Sequence, residues 1–262
     1  MSKVPVRRTA VAASLISLSL ALTACGSEDE KKDAKGDAKG SPSAAAAPAA
    51  KALTQAELEK LALAKADLKD HEFTDPEPGD ILKSGSAVAD KPACRPLAAA
   101  AMEGTPGTAV ARVSRMIMPV PKTAPTPSGA STDEKIETGL KNAADSLDRI
   151  SMTFTTLSTY DGTGAADAMA ALKKAGTDCA AGFGVTVEGD KTKITKVAPA
   201  AYGGGDEAIA HTLTMDIDGE PTETQLVTVR KGGTIANFFT MLLGEKAAPS
   251  KAIPDAQVKK LG

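Results

Sequence analysis

Apolar and polar residues alternate over short stretches in much of this chain, a pattern typical of β-strands. Residues 150–160, ISMTFTTLSTY, are the clearest case. We expect one alternating set to face a core and the other to face solvent. The inward set is Ile150, Met152 and Phe154, and the outward set is Ser151, Thr153 and Thr155. Similar stretches lie at 109–118, 183–187, 191–198, 211–217, 222–231 and from 234 onward.

Helical spacing of apolar residues predicts five helices. Two of them begin with a capping box, which pairs a Ser or Thr with a Glu three residues later. These boxes are Thr54 with Glu57 and Ser131 with Glu134. The remaining helices are predicted after Pro92, over 165–181 and over 254–261. The expected fold class is therefore α+β: a single antiparallel β-sheet of about five to seven strands, with helices packed mainly on one face.

The amino-terminal segment has the anatomy of an export leader. A short basic stretch precedes an apolar run over residues 9–22, which is shorter than the roughly 20 residues that a membrane span needs. The run ends in LTAC, residues 22–25, which resembles the lipobox of bacterial lipoproteins. That resemblance implies that residues 1–24 are a signal peptide and that Cys25 receives a diacylglyceryl group. The alternative is an ordinary secreted protein in which Cys25 only follows the leader.

The chain after the leader divides into a tether and a domain. Residues 25–52 are rich in Lys, Asp, Gly, Ala and Pro and have no apolar periodicity, so we expect a flexible, lipid-anchored tether. Residues 53–262 are expected to form a single sensor-like α+β domain. Within it, residues 119–149 read as an excursion between two strands, a Pro-rich loop followed by a helix.

Composition excludes several classes of partner. Without residues 1–24, the chain holds 28 basic and 33 acidic residues, a formal charge of −5. No basic domain is present, which argues against nucleic acid as a partner. Aromatic residues make up 3% of the chain and Trp is absent, so a stacking platform for bases or sugars is not expected.

Cys94 and Cys179 are the two cysteines that remain once Cys25 is acylated. An even pair in an exported protein predicts a disulfide, here one that links an early helix to a central helix. The alternative is a redox-active thiol, but such sites favour a C-x-x-C motif or an exposed thiol of low pKa, and neither is visible.

Candidate catalytic and metal-binding residues are few. His71 and His211 are the only histidines, and His211 shares a predicted strand face with Leu213 and Met215, which favours a packed side chain. No Cys or second His stands at metal-ligand spacing, and no G-x-S-x-G or S-x-x-K motif marks a nucleophile. The stretch DIDGE at 216–220 is explained by a hairpin turn better than by a calcium loop. We therefore assign no catalytic residue, metal or cofactor.

From residue 54 onward the chain resembles actinobacterial lipoproteins similar to the PknH-type extracellular sensor domain of receptor serine/threonine kinases. The stretches that carry the resemblance are LTQAELEKLALAKADL (53–68), ACRPLAAA around Cys94, TTLSTYDGTGAADAMAALKKAGTDCAAGF (155–183), GDEAIA (205–210) and VTVRKGGTIANFF (227–239). The resemblance implies an antiparallel sheet packed against helices, stapled by disulfides, with a cleft for a ligand. The sensor domain carries two disulfides and this chain can form one. It also lacks a kinase domain, so neither a signalling role nor cleft residues are carried over.

Three functional hypotheses follow. The first is a non-enzymatic, lipid-anchored binding or sensor-like module on the extracytoplasmic face of the cell membrane, which takes a small or lipidic ligand or a cell-envelope protein. The second is a carrier of lipids or lipoproteins across the envelope, which needs an apolar interior several times larger than an ordinary pocket. The third is a cryptic hydrolase, which needs a nucleophile, a base and an orienting group within mutual reach.

Overall fold

The computed structural model describes residues 51–77, 81–120, 125, 128–245 and 247–262, which belong to one compact unit. Its helices are α1 (Gln55–Leu61), α2 (Arg95–Met102), α3 (Thr132–Leu147), α4 (Gly164–Asp178) and α5 (Ala252–Leu261). Its strands are β1 (His71–Thr74), β2 (Val88–Ala89), β3 (Ala111–Pro119), β4 (Ser151–Thr159), β5 (Phe183–Val187), β6 (Asp190–Ala200), β7 (Glu207–Ile217), β8 (Glu220–Lys231) and β9 (Thr234–Leu242). The predicted signal peptide, Cys25 and residues 26–50 of the predicted tether lie outside the described residues.

All nine strands belong to one antiparallel sheet in the order β1-β3-β4-β9-β8-β7-β6-β5-β2. The α+β class is correct, but the prediction of five to seven strands is wrong. The two strands missed are β1 and β2, which occupy the two edges of the sheet. They have four and two residues, too few to show an alternation in the sequence.

Helices cover both faces of the sheet, so the prediction that they pack mainly on one face is also wrong. Helices α2 and α4 pack on one face and helices α1 and α5 on the other. Successive residues of one strand show the two cores directly. Phe239 belongs to the core beneath α2 and α4, whereas Phe238 belongs to the core beneath α1 and α5. Since a fully buried apolar side chain stabilises a fold by about 1.5–3 kcal/mol, both cores contribute substantially.

Strand β4 shows why the sequence pattern predicted helices on only one face of the sheet. Ser151, Thr153 and Thr155 were expected to face solvent, but all three are buried. The hydroxyl of Thr153 forms a hydrogen bond of 3.0 Å with the hydroxyl of Thr240 on the neighbouring strand β9. Threonine is both β-branched and able to hydrogen-bond, so it can line a buried sheet face while reading as a polar residue.

Helices α1 and α5 are joined by side chains that bind the end of α1. The capping box of Thr54 and Glu57 opens α1 as predicted. At its other end, the fully buried Gln257 of α5 accepts a hydrogen bond from the amide of Leu63 and donates one to the carbonyl of Leu61. Carbonyls in the last turn of a helix have no partner within the helix, so Gln257 supplies one from α5.

Helices α2 and α4 are joined by a disulfide between Cys94 and Cys179. Cys94 ends the 3-10 turn that leads into α2, and Cys179 follows the last residue of α4. Both cysteines are buried among apolar side chains of the same core. The bond closes a loop across 85 positions of sequence and therefore restricts the unfolded chain strongly.

His211 of β7 packs beneath α4 and is 7% exposed. Gly176 of α4 gives the ring its space, because a Cβ at that position would lie 2.3 Å from Nε2 of His211. Burial lowers the pKa of His211, since the charged imidazolium loses its hydration there. The neutral ring is therefore the form that fits this core.

None of the described helices has the length and apolar composition needed to cross a membrane.

We predict that the disulfide is a main source of stability. The double variant Cys94→Ala/Cys179→Ala should unfold at lower urea concentration, with a loss of about 2–5 kcal/mol in the free energy of unfolding, because the unfolded chain regains its loop entropy. Treatment with dithiothreitol should lower the stability of the wild type and leave the double variant unchanged. Equal urea midpoints for the wild type and the variant would contradict the prediction.

We also predict that the protein loses stability as the pH falls from about 7 to 5. The unfolded His211 binds a proton near its ordinary pKa of about 6.5, whereas the folded His211, with its lowered pKa, does not. The free energy of unfolding should therefore fall by up to about 1.4 kcal/mol per pH unit over this range. Urea titrations of His211→Gln should show a shallower slope, and His71→Gln serves as the matched comparison. An unchanged slope in His211→Gln would refute this assignment.

Candidate functional site

An apolar groove opens on the sheet face that α2 and α4 cover only in part. Its volume is about 350 Å³, near the lower end of the roughly 300–1,000 Å³ that small-molecule pockets span. It is lined by Ile81, Leu82, Ala101, Met102, Gly104, Phe154, Val187, Thr192, Met215, Phe239 and Met241. Thr192 is the only lining residue with a polar side chain, so the groove favours apolar contents.

The floor of the groove follows from the register of the sheet. Phe154 of β4 lies opposite Phe239 of β9, and both side chains point to the same face because cross-strand partners share a side. Met152 and Met241 form the next pair of this kind along the two strands. Met116 of β3 lies opposite Phe154 and extends the apolar surface towards the β1 edge.

One wall of the groove is held by a buried carboxylate. Glu103, just after α2, is 0% exposed, and its two oxygens accept hydrogen bonds from the backbone amides of Gly85 and Ala87 at 3.0 and 2.9 Å. A guanidinium nitrogen of Arg95 lies 3.0 and 3.1 Å from the same two oxygens. These bonds fix the 85–87 turn against α2, next to the groove-lining residues of the same loop.

Leu82 is held in this wall through its own backbone. Its amide donates to the carbonyl of Met102 at 3.2 Å, and its carbonyl accepts from the guanidinium of Arg112 at 3.1 Å. Arg112 also donates to the carbonyl of Glu103 at 2.9 Å. The groove is therefore bordered by a wall in which the carboxylate of Glu103 and the backbone amide and carbonyl of Leu82 are hydrogen-bonded.

A second concavity lies beside β5 and β6, near edge strand β2, and has a volume of about 500 Å³. Its lining includes Lys91, Lys191 and Lys193, and Lys91 already donates to the carbonyl of Gly182 at 2.7 Å. It is the larger of the two, but its lining mixes charged, polar, apolar and glycine residues. The apolar groove has the more uniform chemistry, and we take it as the candidate site.

The residues singled out from the sequence are not brought together by the fold. Cys94 and Cys179 are joined beneath α2 and α4, and Cys25 lies outside the described residues. His71 lies in edge strand β1, whereas His211 lies in β7 beneath α4. Nδ1 of His211 has no hydrogen-bond partner among the described residues, so this histidine is not oriented as a general base through that atom. Within the described residues no three His, Cys, Asp or Glu side chains are grouped to hold a metal ion.

The DIDGE stretch forms the β7–β8 hairpin turn, as predicted. Asp218 and Gly219 both have positive φ, at 54° and 86°, which is the requirement of a type I′ hairpin turn. The Asp216 carboxylate accepts a hydrogen bond from the amide of Gly219 at 2.9 Å and so stabilises the turn. These features explain the stretch as a hairpin turn.

Sequence reasoning missed the residues of the groove. Met116 and Met118 share one face of the stretch at 109–118, but such a pair more often fills gaps in a core. Leu82, Phe154 and Met241 carry no local signal that distinguishes a groove from a core. Only the register of the sheet and the position of the 81–87 loop bring them together.

Comparison with solved structures gives a likeness of shape. No protein-family model matches this chain, and no curated protein matches it. A solved structure, the extracellular domain of PknH from Mycobacterium tuberculosis, is similar with a TM-score of 0.46 and 13% sequence identity. The match covers 80% of this chain and 96% of that domain. A likeness at this level carries no argument about ligand or role.

Proposed function

We propose that this protein is a non-enzymatic, lipid-anchored module on the extracytoplasmic face of the cell membrane that binds an apolar chain in the groove beside α2. The observation that supports it is the groove itself, with ten of its eleven lining residues lacking a polar side-chain group. Removing apolar surface from water stabilises a complex by about 25 cal/mol per Å², and no polar contact is needed for that gain.

The methionines of the groove favour a flexible ligand. Met102, Met215 and Met241 have unbranched, polarisable side chains that can change rotamer to follow the shape of what they contact. A slender acyl or alkyl chain fits such a surface better than a rigid polar ring does. The ligand class is therefore a single-chain lipid or a compound of similar apolarity.

The lipid anchor and the tether complete the proposal. Acylation of Cys25 would hold the protein at the membrane, because two buried acyl chains give lasting attachment and a single chain gives only reversible attachment. The low-complexity residues that follow would act as a spacer between the membrane and the folded domain. A groove held near the membrane in this way lies close to a source of lipid chains.

The carrier hypothesis fits the structure less well. A carrier must shield several lipid chains or a whole lipoprotein anchor, and its apolar interior is correspondingly large. The groove has a volume of about 350 Å³, which suits one chain. We therefore favour binding of a single chain over bulk transport.

We predict that the wild type binds a fluorescent single-chain fatty acid, 11-(dansylamino)undecanoic acid, with micromolar affinity. Met241→Asp should weaken this binding at least about tenfold, because an apolar chain cannot offset the cost of burying a carboxylate in the groove. Dansyl fluorescence titration measures both affinities.

The matched control is Val88→Asp. Val88 is an exposed residue of edge strand β2 outside the groove lining, and the variant introduces the same side chain. Its affinity should equal that of the wild type. Failure of the wild type to bind the probe, or equal affinity for wild type and Met241→Asp, would overturn the proposed ligand site.

A separate prediction concerns the anchor. The mature protein should begin at Cys25 and carry the mass of the added lipid, and Cys25→Ser should move it from the membrane fraction to the soluble fraction. Intact-mass analysis and fractionation measure this, with Cys94→Ala/Cys179→Ala as the cysteine control that stays membrane-bound. A mature wild type that begins at Cys25 without lipid would rule out the anchor.

A further inference from the structure

Helix α3 presents its apolar side to solvent. Ile136, Leu140 and Leu147 lie on one side of the helix, and 57%, 69% and 65% of their surfaces are exposed. No residue of α3 is buried. The helix begins with the capping box of Ser131 and Glu134, but it belongs to neither core of the sheet.

Such a helix is marginal without a partner. Most of the stability of a helix in a protein comes from packing of its apolar face, and Gly139 in the interior of α3 lowers its intrinsic helix propensity. An amphipathic stripe normally marks the side of a helix that packs on something. The stripe of α3 therefore lacks its packing surface within the described residues.

Helix α3 is connected at both ends to strands that contribute to the apolar sheet face of the groove. It connects β3 to β4, and these strands contribute Met116 and Phe154 to the same apolar sheet face. Its carboxyl end is tied to the sheet, because the carbonyl of Ile150 accepts hydrogen bonds from the amides of Leu243 and Gly244 at 2.9 and 3.2 Å. The residues that follow the helix are therefore fixed at Ile150, at the start of a strand that borders the apolar surface.

We propose that α3 closes over the groove when an apolar chain is bound, so that Ile136, Leu140 and Leu147 form the wall of the site that the open structure lacks. This inference rests on the proposed function and names three further ligand-contacting residues. The apolar chain of the ligand then lies between the methionines of the groove and the apolar stripe of α3.

The dimensions of the helix match those of the groove. Sixteen residues of α-helix span about 24 Å. The groove runs from β4 to β5, which are five strand positions apart in the sheet, or about 24 Å at 4.8 Å per strand. A helix that pivots at Ile150 and lies across the strands therefore reaches the far wall.

The test combines ligand affinity with hydrogen exchange. Leu140→Asp should weaken binding of 11-(dansylamino)undecanoic acid about tenfold, because the lid loses an apolar contact with the chain. The matched control is Lys141→Asp, which places the same side chain one residue along the helix and outside the stripe, and its affinity should equal that of the wild type. In the wild type, amides of residues 132–147 should exchange at least about tenfold more slowly when the probe is bound.

The outcomes separate this inference from the proposed function. If the wild type binds the probe and Met241→Asp does not, while Leu140→Asp binds normally and exchange in α3 is unchanged by the probe, the groove is the site and the lid is refuted. If the wild type does not bind the probe, the proposed function and the lid both fail. The exchange measurement uses the wild type, so it decides the matter even if Leu140→Asp unfolds the helix.

Discussion

The buried carboxylate of Glu103 is the interaction on which the site depends. A carboxylate loses its hydration when it is removed from water, and this cost is offset only if its oxygens are fully paired. Here two backbone amides and the guanidinium of Arg95 meet that requirement. The same bonds hold the 85–87 turn that leads into edge strand β2. One carboxylate thus fixes both a border of the sheet and the loop that forms a wall of the groove.

The disulfide and the two-sided sheet explain why the groove is only partly covered. The bond between Cys94 and Cys179 joins the beginning of α2 to the end of α4, so these helices are held together over one part of the sheet face. Helix α2 has eight residues and α4 has fifteen, whereas the sheet has nine strands. Two short helices cannot cover a face of that width. The remaining surface, centred on Phe154 and Met241, is the floor of the groove.

Local features of the chain could be predicted, and those that depend on distant partners could not. The capping boxes at Thr54 and Ser131 and the turn at Asp218 follow from a few neighbouring residues, and all three are present. The edge strands could not be predicted, since β1 and β2 owe their extended form to pairing with β3 and β5. The groove could not be predicted for the same reason, because its wall near Leu82 and its floor near Met241 lie far apart in the sequence and meet only through the sheet.

In the closed form that we propose, three methionines and the apolar stripe of α3 contact the ligand and determine how it is recognised. One methylene more or less in an apolar pocket changes binding by about 1–3 kcal/mol, and methionine side chains adapt to small differences in shape. Discrimination between chains of different shape is therefore weak. Discrimination by length is stronger, because α3 spans about 24 Å and cannot shield a chain that extends beyond it. The length of the helix, more than the outline of the groove, consequently sets which chains are enclosed.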